Sequence, residues 1–209
     1  MANPLDKHGR FFDIWSNFYR RTFFGLELRR IQRLALERLR VVPGQLVLDL
    51  GCGPGDGASW LAKKSVVSVG LDYSQGMLET ARKEPLLTGR LARGDAGRLP
   101  FRSGAFDKVV CTNSFHHYPD HLSALREMRR VLKPGGLLVL VDPRRDHPFG
   151  RLAIDFGENV VFGLAEVRIF TLVEWHSMLR VAGFADSSVL PGPVWQPVAW
   201  AEVFVEATA

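Results

Sequence analysis

Downstream of Pro43-Gly44 the chain alternates short Val- and Leu-rich runs with segments whose apolar residues recur every three or four positions. The runs at 46–50 (LVLDL), 66–71 (VVSVGL), 90–94, 106–112 (FDKVVCT) and 137–141 (LLVLV) read as strands covered on both faces. Between them, 56–64, 75–84 and 121–132 read as helices. In the last, Asp120 is suited to the N-cap, and Leu122, Leu125, Met128 and Leu132 form one face. The run WHSMLRVAGF predicts a further helix stopped by Gly183, followed by strands near 185–190 and 198–205. Pro191, Gly192 and Pro193 separate those two strands. A loop so rich in proline cannot hold a crossover helix, so the last strand is expected to return antiparallel. The pattern predicts an α/β fold: a mostly parallel seven-stranded sheet, last strand antiparallel, with helices on both faces.

Upstream, residues 26–42 carry a stripe of Leu28, Ile31, Ala35, Leu39 and Val42, with Arg29, Arg30, Arg33, Glu37 and Arg40 opposite it. Residues 10–25 hold seven aromatics (Phe11, Phe12, Trp15, Phe18, Tyr19, Phe23, Phe24), too much apolar surface for a free tail, so a helix or lid is expected there. Four stretches follow within a single domain: a helical arm (1–42), a core (43–142), an insertion (143–170) and a C-terminal helix with strands (171–209).

Charge sharpens this division. The chain carries +5 overall, yet residues 7–40 alone hold nine Lys or Arg against Asp13, Glu27 and Glu37, a net +6, which leaves −1 elsewhere. A basic arm suits phosphates or the anionic surface of a membrane; a solvated helix face is the plainer reading. At 46% hydrophobic and 23% charged residues over 209 positions, disorder and fibrous classes are excluded. No apolar run reaches the ~18–20 residues that span a bilayer, and the charged N-terminus does not read as an export signal. Cys52 and Cys111 have neither disulfide nor zinc spacing, so a reducing cytoplasm is expected and no metal.

The first strand ends in VLDLGCGPGDGA. Gly51, Gly53 and Gly55 fall where a strand turns into a helix N-terminus, and missing side chains there let a ligand approach the backbone. Asp72 ends the second strand, 21 residues after Gly51, where an acid can accept from ribose hydroxyls. The G-x-G-x-x-G/A fingerprint fails because position 56 is Asp, and no G-x-x-x-x-G-K-[ST] occurs.

What remains, D-L-G-C-G-P-G, resembles motif I of the class I S-adenosylmethionine-dependent methyltransferases, and the resemblance runs over residues 46–142. It implies a Rossmann-like sheet and S-adenosylmethionine as cofactor. Carried over by position, Gly51, Cys52, Gly53 and Gly55 would border the methionine part, with Asp49 orienting its ammonium group. Asp72 would bind the ribose hydroxyls, Tyr73 would lie against the adenine, and Met77 would join the same pocket. Gly94-Asp95-Ala96 resembles the loop in which Asp95 accepts from the adenine amino group and the Ala96 amide donates to the ring. FDKVVCTNSFHHY resembles the fourth-strand motif, which brings Asn113 and Ser114 to the methyl donor. RRVLKPGGLLVLVD resembles the helix-turn-strand leading into the fifth strand.

Methyl transfer is an in-line displacement at an activated carbon, so the protein must align the reactants and exclude water. A base is needed only when the acceptor has a proton to lose; His116 and His117, just past the fourth strand, are the candidates. FFDIWSNFYRRTFFGLELRR resembles the opening of the ubiquinone/menaquinone and phospholipid methyltransferases, whose Tyr-Asp pair stands here as Phe12-Asp13. His116-His117 replaces the Arg-Asn pair of the quinone enzymes. These likenesses imply a small hydrophobic or lipid-like acceptor and peripheral contact with anionic membrane. A nucleic-acid substrate is unfavoured, because TNSFHHY is not the N/D-P-P-Y/F box that holds a flipped base. A non-catalytic cofactor-binding module is the remaining alternative.

Overall fold

The computed structural model describes residues 12–13, 23–87, 90–152, 167–193 and 199–209. Helix α1 (Phe23–Arg38) leads into β1 (Leu46–Leu50), α2 (Asp56–Ala62), β2 (Val67–Asp72), α3 (Gln75–Ala81) and β3 (Leu91–Arg93). Then follow β4 (Phe106–Thr112), α4 (His121–Val131), β5 (Leu132–Pro143), α5 (Pro148–Leu152), α6 (Leu172–Ala182), β6 (Asp186–Pro191) and β7 (Glu202–Thr208). The seven strands form one sheet in the order β3-β2-β1-β4-β5-β7-β6. β1 pairs parallel with both β2 and β4, while β7 lies antiparallel between β5 and β6. The proline-rich return therefore reverses the last strand, as the sequence predicts.

The sheet is covered on both faces. Leu48, Leu50, Val109, Leu138 and Leu140 pack on one side with Leu125 and Met128 of α4 and Trp175 and Leu179 of α6. On the other, Val47, Val110, Val139 and Val141 pack with Ile31, Ala35 and Leu36 of α1 and Leu61 of α2. Adjacent residues of one strand thus feed opposite layers, the period-two rule for a strand buried on both faces.

Several boundaries differ from expectation by a few residues, and two of them have a clear local reason. Helix α1 stops at Arg38 instead of running to residue 42. Arg40 takes a left-handed φ of 48° and its N–H donates to the Glu37 carbonyl at 3.2 Å, so Val42 ends up exposed. β5 begins at Leu132 instead of 137. Leu132 is already extended and pairs with Phe106, the register slips between Phe106 and Lys108, and Leu137 resumes opposite Lys108. The Lys133-Pro134-Gly135-Gly136 run, which reads as a turn, is a bulge within that strand. Of the expected insertion, 153–166 lie outside the described residues, as do most of the aromatic positions of the arm.

Candidate active site

The strand order reverses between β1 and β4, so the connections that leave their carboxyl ends run to opposite sides, the place where such a sheet opens a crevice. The glycine turn follows β1 on one side of it, and Asn113-Ser114 follows β4 on the other. Gly51, Gly53 and Gly55 all have positive φ (70°, 52° and 84°), which only glycine adopts without strain. Gly51 also needs its bare Cα for space: a Cβ there would fall 2.1 Å from Ser114 Oγ. Gly55 serves as the left-handed N-cap of α2.

Asp49 sits beneath this turn, fully buried, and neither carboxylate oxygen has a hydrogen-bond partner among the described residues. Burial, reinforced by the charges of Asp72 and Asp56, pushes its carboxyl up to about 7. A buried acid held without a partner suits a cationic group arriving from outside. Asp72, at the end of β2, is anchored differently. Its Oδ2 accepts from Gly53 N–H at 2.8 Å and its Oδ1 from Ser74 N–H at 2.9 Å. Burial raises its pKa against those donors, and each oxygen keeps lone-pair capacity for a second donor such as a hydroxyl.

The other expected residues gather around this pair. Tyr73 is half-buried with the Arg93 guanidinium 5.4 Å over its ring. Met77 is buried, its sulfur 4.0 Å from where a Gly53 Cβ would stand. The loop after β3 is drawn beside Asp72, since Gly94 N–H donates to the Asp72 carbonyl at 3.2 Å. Within it Asp95 Oδ1 accepts from Gly97 N–H at 2.8 Å, an Asx-type turn that leaves Oδ2 for another donor, and Ala96 is buried. Cys52 is buried against Gly70 and its thiol is pushed well up by burial, so it fills space and is no nucleophile.

On the β4 side, Asn113 adopts φ 48°, its N–H donates to the Val141 carbonyl at 2.8 Å, and its buried Oδ1 has no hydrogen-bond partner among the described residues. Ser114 lies against Gly51, and its hydroxyl donates to Tyr118 OH at 3.0 Å, which lies 3.5 Å from Cys111 Sγ. His116 is buried with Nδ1 2.8 Å from Asp142 Oδ1. A carboxylate can only accept, so Nδ1 carries the proton. The His117 ring lies 4.0 Å from that of His116 and meets the edge of Phe12 at 4.9 Å.

Three functional candidates escape sequence reasoning. Asp142 has a signal, an acid closing the apolar run LLVLVD, but its partner lies 26 residues away. Ser74 carries none, because its contact with Asp13 spans 61 residues, and Tyr118 carries none, because its contacts with Ser114 and Cys111 depend on how the chain turns after β4. Among the described residues no group of three or more His, Cys, Asp or Glu is arranged to hold a metal ion.

Comparison with known proteins agrees with this geometry. Residues 48–140 match the family described as "Methyltransferase domain". "Methyltransferase GfsG" of Streptomyces halstedii is 40% identical over 119 residues, 54% of this chain and 43% of that protein. A demethylmenaquinone methyltransferase of Lactococcus lactis is 33% identical over 165 residues, 74% of this chain and 66% of that protein. A solved structure from Thermotoga maritima, described as an SAM-dependent methyltransferase and possible histamine N-methyltransferase, superposes with a TM-score of 0.73. It is 25% identical over 95% of this chain and 98% of that one. The chain spans less than half the length of the first relative and 66% of the second. The matched stretch holds the glycine turn, the β2 acid and both strands of the switch point, and over residues 48–140 the chain is a methyltransferase domain of the class I S-adenosylmethionine-dependent kind.

Proposed function

We propose that the protein transfers the methyl group of S-adenosylmethionine to a small, hydrophobic or lipid-like acceptor. The observation that carries this reading is the contrast between the two acids flanking the glycine turn. Asp49 is buried, without a hydrogen-bond partner among the described residues, and matched to an ammonium, whereas Asp72 is fixed by two backbone N–H groups and matched to a pair of hydroxyls. One ligand with an amino-acid end and a ribose satisfies both. Asp95 Oδ2 and the face of Tyr73 supply the adenine end, and Asn113 Oδ1 lies toward the reacting end.

When bound, the cofactor supplies a methyl group already activated on a sulfonium. The chain then has to align an acceptor with that carbon and exclude water. On this reading His117, half-buried between His116 and Phe12, takes the proton of an acceptor that has one to lose. Asp142 and His116 fix the surface against which His117 rests. The apolar acceptor is supported by the aromatic contact at His117 and by the demethylmenaquinone methyltransferase relatives.

Contact with an anionic membrane belongs to the same reading. Leu26, Phe149, Leu152 and Val173 are large apolar side chains left exposed on elements that begin or end at the carboxyl edge of the sheet. Exposed Arg30, Arg151 and Arg168 accompany them. Incubating the protein with methyl-labelled S-adenosylmethionine and a panel of quinones, phenols, amines, lipids and RNA tests the proposal. Label transfer to an apolar member is expected; transfer only to RNA would overturn the acceptor class.

A further inference from the structure

Phe12 and Asp13 touch both walls of the crevice. Asp13 Oδ1 accepts from Ser74 Oγ at 2.6 Å and from Gly76 N–H at 2.7 Å, on the first turn of α3. Ser74 N–H donates to Asp72 Oδ1, and the other oxygen of Asp72 holds Gly53 N–H. Asp13, Ser74, Asp72 and the glycine turn thus form one hydrogen-bonded chain. One residue earlier, the ring of Phe12 meets His117, past the end of β4 on the opposite wall. Two consecutive residues therefore bridge the β2 and β4 sides.

Gly76 is shaped for this contact. A Cβ there would lie 2.7 Å from Asp13 Cα and 2.9 Å from the Asp13 carbonyl oxygen, backbone atoms that cannot rotate aside. Its φ is not positive, so the helix itself does not require glycine at this position. Glycine inside a helix lowers stability relative to alanine. The close approach of Asp13 is what the missing side chain admits.

We propose that Asp13 is a positioning residue that fixes the first turn of α3 and, through Ser74 and Asp72, the adenosine side of the crevice, and that sets Phe12 against His117. This rests on the reading that the crevice binds S-adenosylmethionine. A ligand that fixes Asp72 also fixes Ser74 and the first turn of α3, and therefore favours the Asp13 contact. By linkage the Asp13 contact tightens the ligand by the same factor.

The test compares wild type with Asp13→Asn, Asp13→Ala and Gly76→Ala. S-adenosylhomocysteine affinity is measured by calorimetry, and the rise in melting temperature that the compound causes is measured beside it. Asp13→Asn keeps the Oδ1 acceptor and should behave nearly as wild type. Asp13→Ala and Gly76→Ala should bind about tenfold more weakly and gain less melting temperature from the ligand. Gly76→Ala should keep or raise the melting temperature, since alanine favours the helix, so its weaker binding cannot come from misfolding. Affinity and ligand-induced melting shift within twofold of wild type in both variants would overturn the coupling. A wild-type protein that fails to bind S-adenosylhomocysteine overturns the cofactor reading instead, before any variant is compared.

Discussion

Replacing Asp49 with Asn separates the cost of this acid from its use. A carboxyl that titrates at 3.8 when unfolded and at about 7 when folded holds its proton longer in the native state. Native stability is therefore lost as pH rises from about 4 to about 7 and is level above that, with roughly 4 kcal/mol lost in all. Asparagine has the same shape and no charge, so the ligand-free variant escapes this loss. Its amide is still a buried polar group without a partner, which returns about 1–3 kcal/mol. The net gain at pH 8 is about 1–3 kcal/mol, which for a chain of 209 residues raises the melting temperature by roughly 3–10 °C. At pH 4.5 wild-type Asp49 is itself protonated and the advantage should vanish. Binding moves the opposite way: the ammonium loses a charged partner, so affinity for S-adenosylhomocysteine at pH 8 should fall by about 1.5–3 kcal/mol. Thermal denaturation at the two pH values, with calorimetric titration, measures both effects. A melting difference that is the same at pH 4.5 and pH 8, or an unchanged affinity, would refute the assignment of Asp49.

Asp72→Ala removes the acceptor for Gly53 and Ser74 as well as for ribose, and should weaken S-adenosylhomocysteine binding by about 2–4 kcal/mol in a protein that still melts cooperatively. His117→Ala should lower kcat by roughly 10²–10⁴ toward an acceptor that loses a proton, with cofactor affinity unchanged. The wild-type rate should fall at acid pH as the ring charges, and a variant with normal kcat and the same acid limb would remove His117 from the chemistry. His121, half-buried against Phe115 and Phe170, is held down to about 4 by burial and by the charges of Arg168 and His116. Its contribution to stability is full above pH 6.5 and is lost as pH falls toward 4, so His121→Phe should flatten the acid side of the melting profile. Vesicles containing acidic lipid should pellet the protein at low salt and release it at high salt, whereas pelleting indifferent to salt or lipid charge would contradict the basic surface.

The parts of the site that were legible in the sequence are those carried by contiguous residues. The glycine turn announces itself because positive φ at three positions demands three glycines within five residues. Asp72 does so because a βα turn places the end of β2 a fixed chain length beyond β1. The strands of the sheet are legible because burial on both faces makes them almost wholly apolar. Long-range pairings were not legible. Asp13 meets Ser74 across 61 residues, and His116 meets Asp142 across 26, distances at which no periodicity survives. Ser114 shows the same limit: its position after β4 was readable, but its commitment to Tyr118 depends on how the chain turns at Phe115–His117. The start of β5 was missed because Pro-Gly-Gly has the composition of a turn even where it forms a bulge in a paired strand.

The central claim is that the glycine turn, Asp49 and Asp72 form a binding site for S-adenosylmethionine. Calorimetric titration of the purified protein with S-adenosylhomocysteine, and separately with NAD, tests it most directly. Saturable binding of the sulfur compound at one site per chain, with no heat from NAD, is the predicted result. Binding of NAD, with no response to S-adenosylhomocysteine or S-adenosylmethionine, would contradict it.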